Sequence, residues 1–254
     1  MKKHKICIIG DGLAGLTTAI TLQKLNLNID LFYRRSNKNY KKDKRTTAIS
    51  ESNYQFLKKK IKLKNKYYFW PCKKIDLFYE SRNKYLSFLN YNARDKNLMY
   101  IFENEKFIKN LINELKKFKN INLLGKTVKE VNYDSSFVKF DNSKIYYDLI
   151  ILCVGKTNNF YNGMNQGRTI NKDYKEFAIT GAIQHNLILN GSSQYFLKEG
   201  PLAILPFKKN MFSLVWSIPA DLLQQNIKIL IKNKLKYIFG DKTKIKIMDL
   251  QLFP

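Results

Sequence analysis

The sequence predicts an α/β fold, a parallel-sheet unit interrupted by a largely antiparallel one. Three observations predict it. An apolar run, a glycine turn and a helical pattern follow one another over residues 5–25, KICIIGDGLAGLTTAITLQKL. A second apolar run, residues 146–154, returns late and stops on Gly155. Between and after these lie short apolar-aromatic runs with the alternation and turn spacing of antiparallel strands.

The opening stretch is the most informative. Ile6, Ile8 and Ile9 read as a buried strand, and Leu13, Leu16, Ala19 and Ile20 recur at helical spacing. Gly10-Asp11-Gly12-Leu13-Ala14-Gly15 joins them. In that order the three pieces form a dinucleotide-binding fingerprint. Gly10 permits a tight turn, Gly12 lets a diphosphate approach the backbone, and Gly15 lets helix and strand pack closely. The free amides of the first helical turn, with the helix dipole, then attract phosphate. Lys2, Lys3 and Lys5 precede apolar residues as in a secretory signal, but Asp11 and three glycines interrupt the would-be apolar segment.

The second strand is predicted over residues 28–33, NIDLFY. Its end is where such folds place an acid for the ribose hydroxyls. Tyr33 stands there instead, and alternation aims the nearby Asp30 elsewhere. Residues 34–44 are polar and basic and read as a loop. A helix is expected over 51–61, capped by Ser50 or Ser52. The runs 75–79 and 85–89 read as a hairpin. Residues 104–118 give the clearest helix, with Phe107, Ile108, Leu111, Ile112, Leu115 and Phe118 on one face. Short strands are expected at 121–124, 127–133 and 137–140, and one continuous strand at 146–154. Further strands fall at 177–185, 195–197, 202–205 and 212–217. A helix opened by Pro219 and closed by Gly240 follows, then a half-exposed strand over 244–252.

Composition narrows the function classes. At 254 residues with 44% hydrophobic content, the chain can bury a sizeable core. No run approaches the roughly eighteen uncharged apolar residues of a membrane-spanning helix. Cys7, Cys72 and Cys153 are far apart and only two histidines occur, so no zinc-type spacing exists. Buried free thiols in a reducing cytoplasm are expected. The net charge of +26 comes from lysines spread over the whole chain, which makes a solvated surface rather than a nucleic-acid groove. Lysines facing an anionic membrane would still contribute about 1 kcal/mol each.

Four segments resemble one family, the flavin-dependent aromatic hydroxylases of ubiquinone biosynthesis, within the para-hydroxybenzoate hydroxylase class. They are IIGDGLAGLTTAI, RTTAIS (residues 45–50), YIFENEKFIKNLINEL (100–115) and YFLKEGPLAILPFKKNMFSLVWS (195–217). The resemblance runs over essentially the whole chain. It implies an FAD/NAD(P)-binding Rossmann-like domain, residues 1–72 and 95–165, interrupted by an α+β substrate domain on an antiparallel sheet, residues 73–94 and 166–254. It implies that Gly10, Asp11, Gly12, Leu13, Ala14, Gly15 and Gly155 hold FAD. Arg45 would face the flavin side of the cofactor, and Gly200 and Pro201 would lie on a loop beside its ring. The residues alone leave Arg45 equally open to a surface pairing, and Gly200-Pro201 to a plain turn.

The activity implied is monooxygenation of a lipid-tailed phenol, with NAD(P)H reducing FAD. The cofactor carries that chemistry, so no acid–base pair is expected, and His185 reads as structural. A cytoplasmic protein is implied, peripheral on the inner membrane or held in a quinone-synthesis complex. The sequence departs from the family in three places. Tyr33 replaces the ribose acid. Val154-Gly155 stands where the family has aspartate-glycine, with Asn158 in a serine's place. The later glycine-aspartate-alanine-alanine-histidine motif is expected to be missing beyond Asp249–Pro254. A shortened, non-catalytic homologue serving as a scaffold is therefore the alternative reading, and a related prenyl reductase or cyclase a third.

Overall fold

The computed structural model describes residues 3–33, 43–61, 69–82, 84–155, 160, 172 and 174–253. The chain divides into two compact units, residues 1–43, 58–62 and 105–171 in the first, and 44–57, 63–104 and 172–254 in the second. The segments 44–57, 69–72 and 95–104, expected with the first domain, group with the second unit.

In the first unit, β1 (His4–Ile9), β2 (Leu27–Phe32), β8 (Ile121–Leu124) and β12 (Leu149–Leu152) form a parallel sheet in the order β12-β1-β2-β8. Helix α1 (Leu13–Leu22) connects β1 to β2. Its Leu16, Ala19 and Ile20 are buried, as their spacing predicts. Helix α3 (Asn104–Leu115) precedes β8 and buries Phe107, Ile108, Leu111 and Leu115. A three-stranded antiparallel sheet of β9 (Val128–Asn132), β10 (Phe137–Phe140) and β11 (Ser143–Tyr146) follows. Its Val138 and Phe140 join Cys7, Ile9 and Phe32 in one core cluster.

The apolar run over 146–154 is not one strand. Tyr146 pairs with Phe137 in the antiparallel sheet, whereas Leu149 pairs with Ile6 in the parallel one. The chain changes sheet at Tyr147 and Asp148. The Asp148 carboxylate accepts the Lys5 amide at 2.6 Å and the Tyr147 hydroxyl bonds Asp30, so both residues of the corner are anchored by polar contacts. Hydrophobicity cannot reveal such a corner, because both sheets bury apolar side chains.

The second unit is built on seven strands in the order β17-β13-β16-β15-β14-β5-β6. These are β5 (Lys74–Ser81), β6 (Lys84–Asn92), β13 (Glu176–His185), β14 (Ser192–Leu197), β15 (Gly200–Lys208), β16 (Met211–Pro219) and β17 (Ile245–Phe253). All neighbours are antiparallel except β14 and β5. One face packs against α4 (Ile227–Phe239). There Ile231 and Leu235 meet Ile179, Leu214 and Trp216, all fully buried. A smaller sheet, β3 (Thr46–Ser50), β7 (Met99–Glu103) and β4 (Trp70–Cys72), carries the RTTAIS segment as a strand. Ser50 accepts the Asn53 amide at 3.3 Å at the start of α2 (Glu51–Lys60), fulfilling the expected cap.

The helix expected from Pro219 also divides. Pro219 is extended, Ala220–Gln224 form a single 3-10 turn, and the helix proper begins after Asn226. Asn226 Oδ1 accepts the amides of Lys228 and Ile229, at 3.1 and 3.3 Å. This N-cap is a stronger start signal than the proline, because it satisfies two of the amides that a helix leaves unpaired. Gly240, at φ +90°, ends the helix as expected.

Candidate functional site

The four parallel strands end in register. Ile9 pairs with Leu152 on one side and with Phe32 on the other, and Phe32 pairs with Leu124. The segments leaving their carboxyl ends are therefore brought to one edge of the sheet. The chain runs from β1 outward to β2 and β8, then returns to β12 on the opposite side of β1. Ligand crevices of open α/β sheets form where strand order reverses in this way. A cleft of about 310 Å³ lies at that edge, lined by Gly10, Asp11, Gly12, Tyr33, Val154 and Gly155 among others.

Gly10 and Gly15 make the close backbone approaches that their positions predict. A Cβ on Gly15 would stand 1.9 Å from the Gly10 carbonyl oxygen, and one on Gly10 would stand 2.1 Å from that of Cys153. Helix α1, the end of β1 and the end of β12 thus touch backbone to backbone. Gly12 is different. Among the described residues, a Cβ there would meet nothing within 4 Å, although its φ of −76° is open to any residue. Its bare backbone faces the open cleft. Gly12 is also the N-cap of α1, with no side-chain cap and no acid in the first turn. An uncapped, positively polarised helix start beside a lined cavity suits a diphosphate. Leu13, Ala14 and Gly15 form that first turn. Gly155, at φ +75°, likewise has open space where a Cβ would be. Asn158 lies outside the described residues.

Asp30 is not in the cleft. Its carboxylate is buried and accepts from Tyr147 Oη at 2.9 Å and Asn122 Nδ2 at 2.8 Å, with Lys5 Nζ 3.4 Å away. Alternation along β2 turns it inward, as expected, and leaves Tyr33 as the cleft residue after that strand. Burial, then the hydrogen bond and charge of Asp30, push the Tyr147 phenol up. Burial also raises the Cys7 and Cys153 thiols, which disfavours the thiolate at both.

Sequence reasoning missed Lys126 and Thr127, which line the cleft after β8. Lys126 is held over the Phe140 ring at 4.7 Å and pairs with Asp141 at 3.5 Å. The signal that would have found them is topological: a third parallel strand beside β2 must deliver its following loop to the same edge.

Arg45, Gly200 and Pro201 belong to the second unit. The Arg45 guanidinium lies 4.8 Å from the Phe253 ring centroid, and its carbonyl accepts the Asn104 amide. Gly200 and Pro201 are not a loop. They open β15, paired with Leu197 and Phe196 of β14. Gly200 is needed there because φ is +125° and a Cβ would stand 2.2 Å from the Ser217 carbonyl oxygen. His185 is structural: it is buried, its Nδ1 accepts the Leu187 amide at 3.1 Å, and desolvation lowers its pKa.

No protein-family model matches the chain, and no curated protein does. Solved structures do match. The flavin-dependent halogenase CmlS aligns with 99% of this chain at a TM-score of 0.72 and 16% identity. This chain spans half the length of that protein. p-Nitrophenol 4-monooxygenase PnpA from Pseudomonas putida DLL-E4 aligns with all of the chain at 0.74 and 14% identity, over 68% of its own length. A geranylgeranyl bacteriochlorophyll reductase-like protein from Thermoplasma acidophilum aligns with all of it at 0.73 and 15% identity, over 66% of its own length. Over the aligned part, the chain has the fold of these flavin-dependent halogenase and monooxygenase structures.

Proposed function

We propose that this chain is part or all of a flavin-dependent monooxygenase that hydroxylates a polyprenyl phenol in ubiquinone biosynthesis, with NAD(P)H as reductant. The observation that carries the reading is the bare Gly12 backbone at the start of α1, open to a cleft at the reversal point of a parallel sheet. Gly10, Asp11, Gly12, Leu13, Ala14 and Gly15 would hold the FAD diphosphate by backbone amides, and Gly155 would border it. Ile9, Phe32 and Val128 give the cleft apolar walls. FAD, when bound, supplies the oxygen activation that ring hydroxylation requires. The choice of a ubiquinone precursor rests on the GPLAILP and VWS segments. A cytoplasmic protein at the inner membrane surface accords with such a substrate. No helix among the described residues is long and apolar enough to cross a membrane.

Tyr33 and Val154, both lining the cleft in place of family carboxylates, favour a second reading, a non-catalytic homologue acting as a scaffold in quinone synthesis. FAD titration separates the two. The enzyme reading expects yellow protein, one flavin per chain, and NAD(P)H-dependent incorporation of oxygen into a polyprenyl phenol. Flavin binding without turnover would favour the scaffold. Protein that stays colourless and leaves flavin fluorescence unchanged would refute the enzyme reading for this chain.

A further inference from the structure

Among the described residues, the face of the seven-stranded sheet turned away from α4 is covered only in part. At one end, Ile75 and Leu205 pack with Met99 and Ile101 of β7. At the other end Phe196, Tyr79 and Leu86 are paired across β14, β5 and β6, and all three are more than 40% exposed. Phe88 is the extra residue of a bulge in β6 and is 51% exposed. Its ring stands 6.0 Å from Tyr79 and 5.8 Å from Phe196. Alternation sends Phe78, Tyr85 and Tyr195 to the α4 face, so these four side chains are not spare core. They make a contiguous aromatic patch beside an edge strand, larger in kind than scattered surface residues.

Three exposed basic residues flank the patch. Arg82 and Lys84 sit at the β5–β6 turn and Lys198 just past Phe196, all exposed. The two carboxylates at this end, Glu80 and Glu199, are drawn to Lys234, at 3.7 and 2.8 Å. Lys234 offsets one of their two charges on the α4 side, so Arg82, Lys84 and Lys198 leave this end of the sheet net cationic.

We infer that this patch is a docking surface for an anionic lipid bilayer, with Phe88, Tyr79 and Phe196 entering the headgroup region and Arg82, Lys84 and Lys198 meeting lipid phosphate. A second copy of the chain is the poorer occupant, because each copy carries a net charge of +26 and would repel the other. An anionic surface instead gains from each basic residue near it. The inference rests on the proposed reading only for its purpose: it names where the protein would meet a lipid-tailed substrate.

The test is sedimentation of the 254-residue protein with vesicles of phosphatidylglycerol and phosphatidylcholine, against phosphatidylcholine alone. Salt-sensitive partitioning onto the anionic vesicles is expected. Phe88→Glu should weaken it by about tenfold or more, by removing apolar insertion and adding repulsion. Lys84→Ala should weaken it by about fivefold. Both residues are exposed, and circular dichroism would verify that the variants fold. FAD titration of the same samples reads the cleft separately, so loss of flavin binding and loss of lipid binding are distinguishable failures. Absence of partitioning onto anionic vesicles overturns the inference. So does equal partitioning by the parent and both variants. A dimer that Phe88→Glu dissociates, with no lipid binding, would assign the patch to a second copy.

Discussion

The Tyr147 hydroxyl donates a 2.9 Å hydrogen bond to the buried Asp30 carboxylate, joining two residues 117 positions apart. Tyr147 stands at the corner where the chain leaves the antiparallel sheet for β12, and Asp30 lies in the middle of β2. The bond therefore ties the corner to the parallel sheet that carries the cleft. Asn122 from β8 completes the cluster.

Tyr147→Phe should lower stability by about 1.5–3 kcal/mol, the usual loss for a buried hydrogen bond to a charged group. Asp30→Ala should lose more, about 3 kcal/mol or more, because the buried Tyr147 hydroxyl is left without its acceptor and Asn122 loses the same partner. Urea unfolding followed by circular dichroism measures both. An Asp30→Ala protein as stable as the parent would show that the cluster does not hold the corner.

Gly12 and Gly15 should respond oppositely to alanine. Gly12→Ala puts a methyl group into open cleft at an ordinary φ, so stability should stay within about 1 kcal/mol of the parent. Its flavin or ADP binding should fall by about tenfold or more, since the methyl blocks close approach to the backbone. Gly15→Ala drives a methyl group against the Gly10 carbonyl and should lose about 2 kcal/mol or more. Thermal unfolding beside ADP titration reads both. Undiminished nucleotide binding by a folded Gly12→Ala protein would move the diphosphate elsewhere.

Gly200→Ala should destabilise the protein whether or not flavin is present. Its φ of +125° and the Ser217 carbonyl 2.2 Å from the new methyl both oppose the substitution. A loss of about 2 kcal/mol or more in the apoprotein is expected from a thermal melt. A purely ligand-contacting glycine would leave the apoprotein melt unchanged.

His185 should make stability depend on pH. Burial lowers its folded pKa below the ordinary value of 6.5, so the unfolded chain binds the proton more readily. Stability should therefore fall as pH drops through 6.5, and this contribution should level off below the lowered folded value. His185→Asn keeps an acceptor for the Leu187 amide but cannot titrate. The difference in urea midpoint between parent and variant, followed from about pH 7.5 to about pH 5, should drift in favour of the variant. A constant difference would place His185 in a solvated site.

What the sequence by itself determined was local. Ile6, Ile8 and Ile9, the glycine turn and the period of Leu16, Ala19 and Ile20 specify strand, turn and helix within about twenty residues, because each signal is set by near neighbours. The single apolar face of α3 and the hairpin of β5 and β6 were legible for the same reason. Tertiary structure decided where those pieces meet. It gave Asp30 its partners, Tyr147 and Asn122, from two distant segments. It brought Lys126 to the cleft from a third strand, split the 146–154 run between two sheets, and turned Gly200-Pro201 from a loop into a strand. These outcomes depend on which strands pair and in what register. Pairing across more than a hundred residues leaves no periodic trace in the segments themselves, since an apolar strand looks alike whichever sheet receives it.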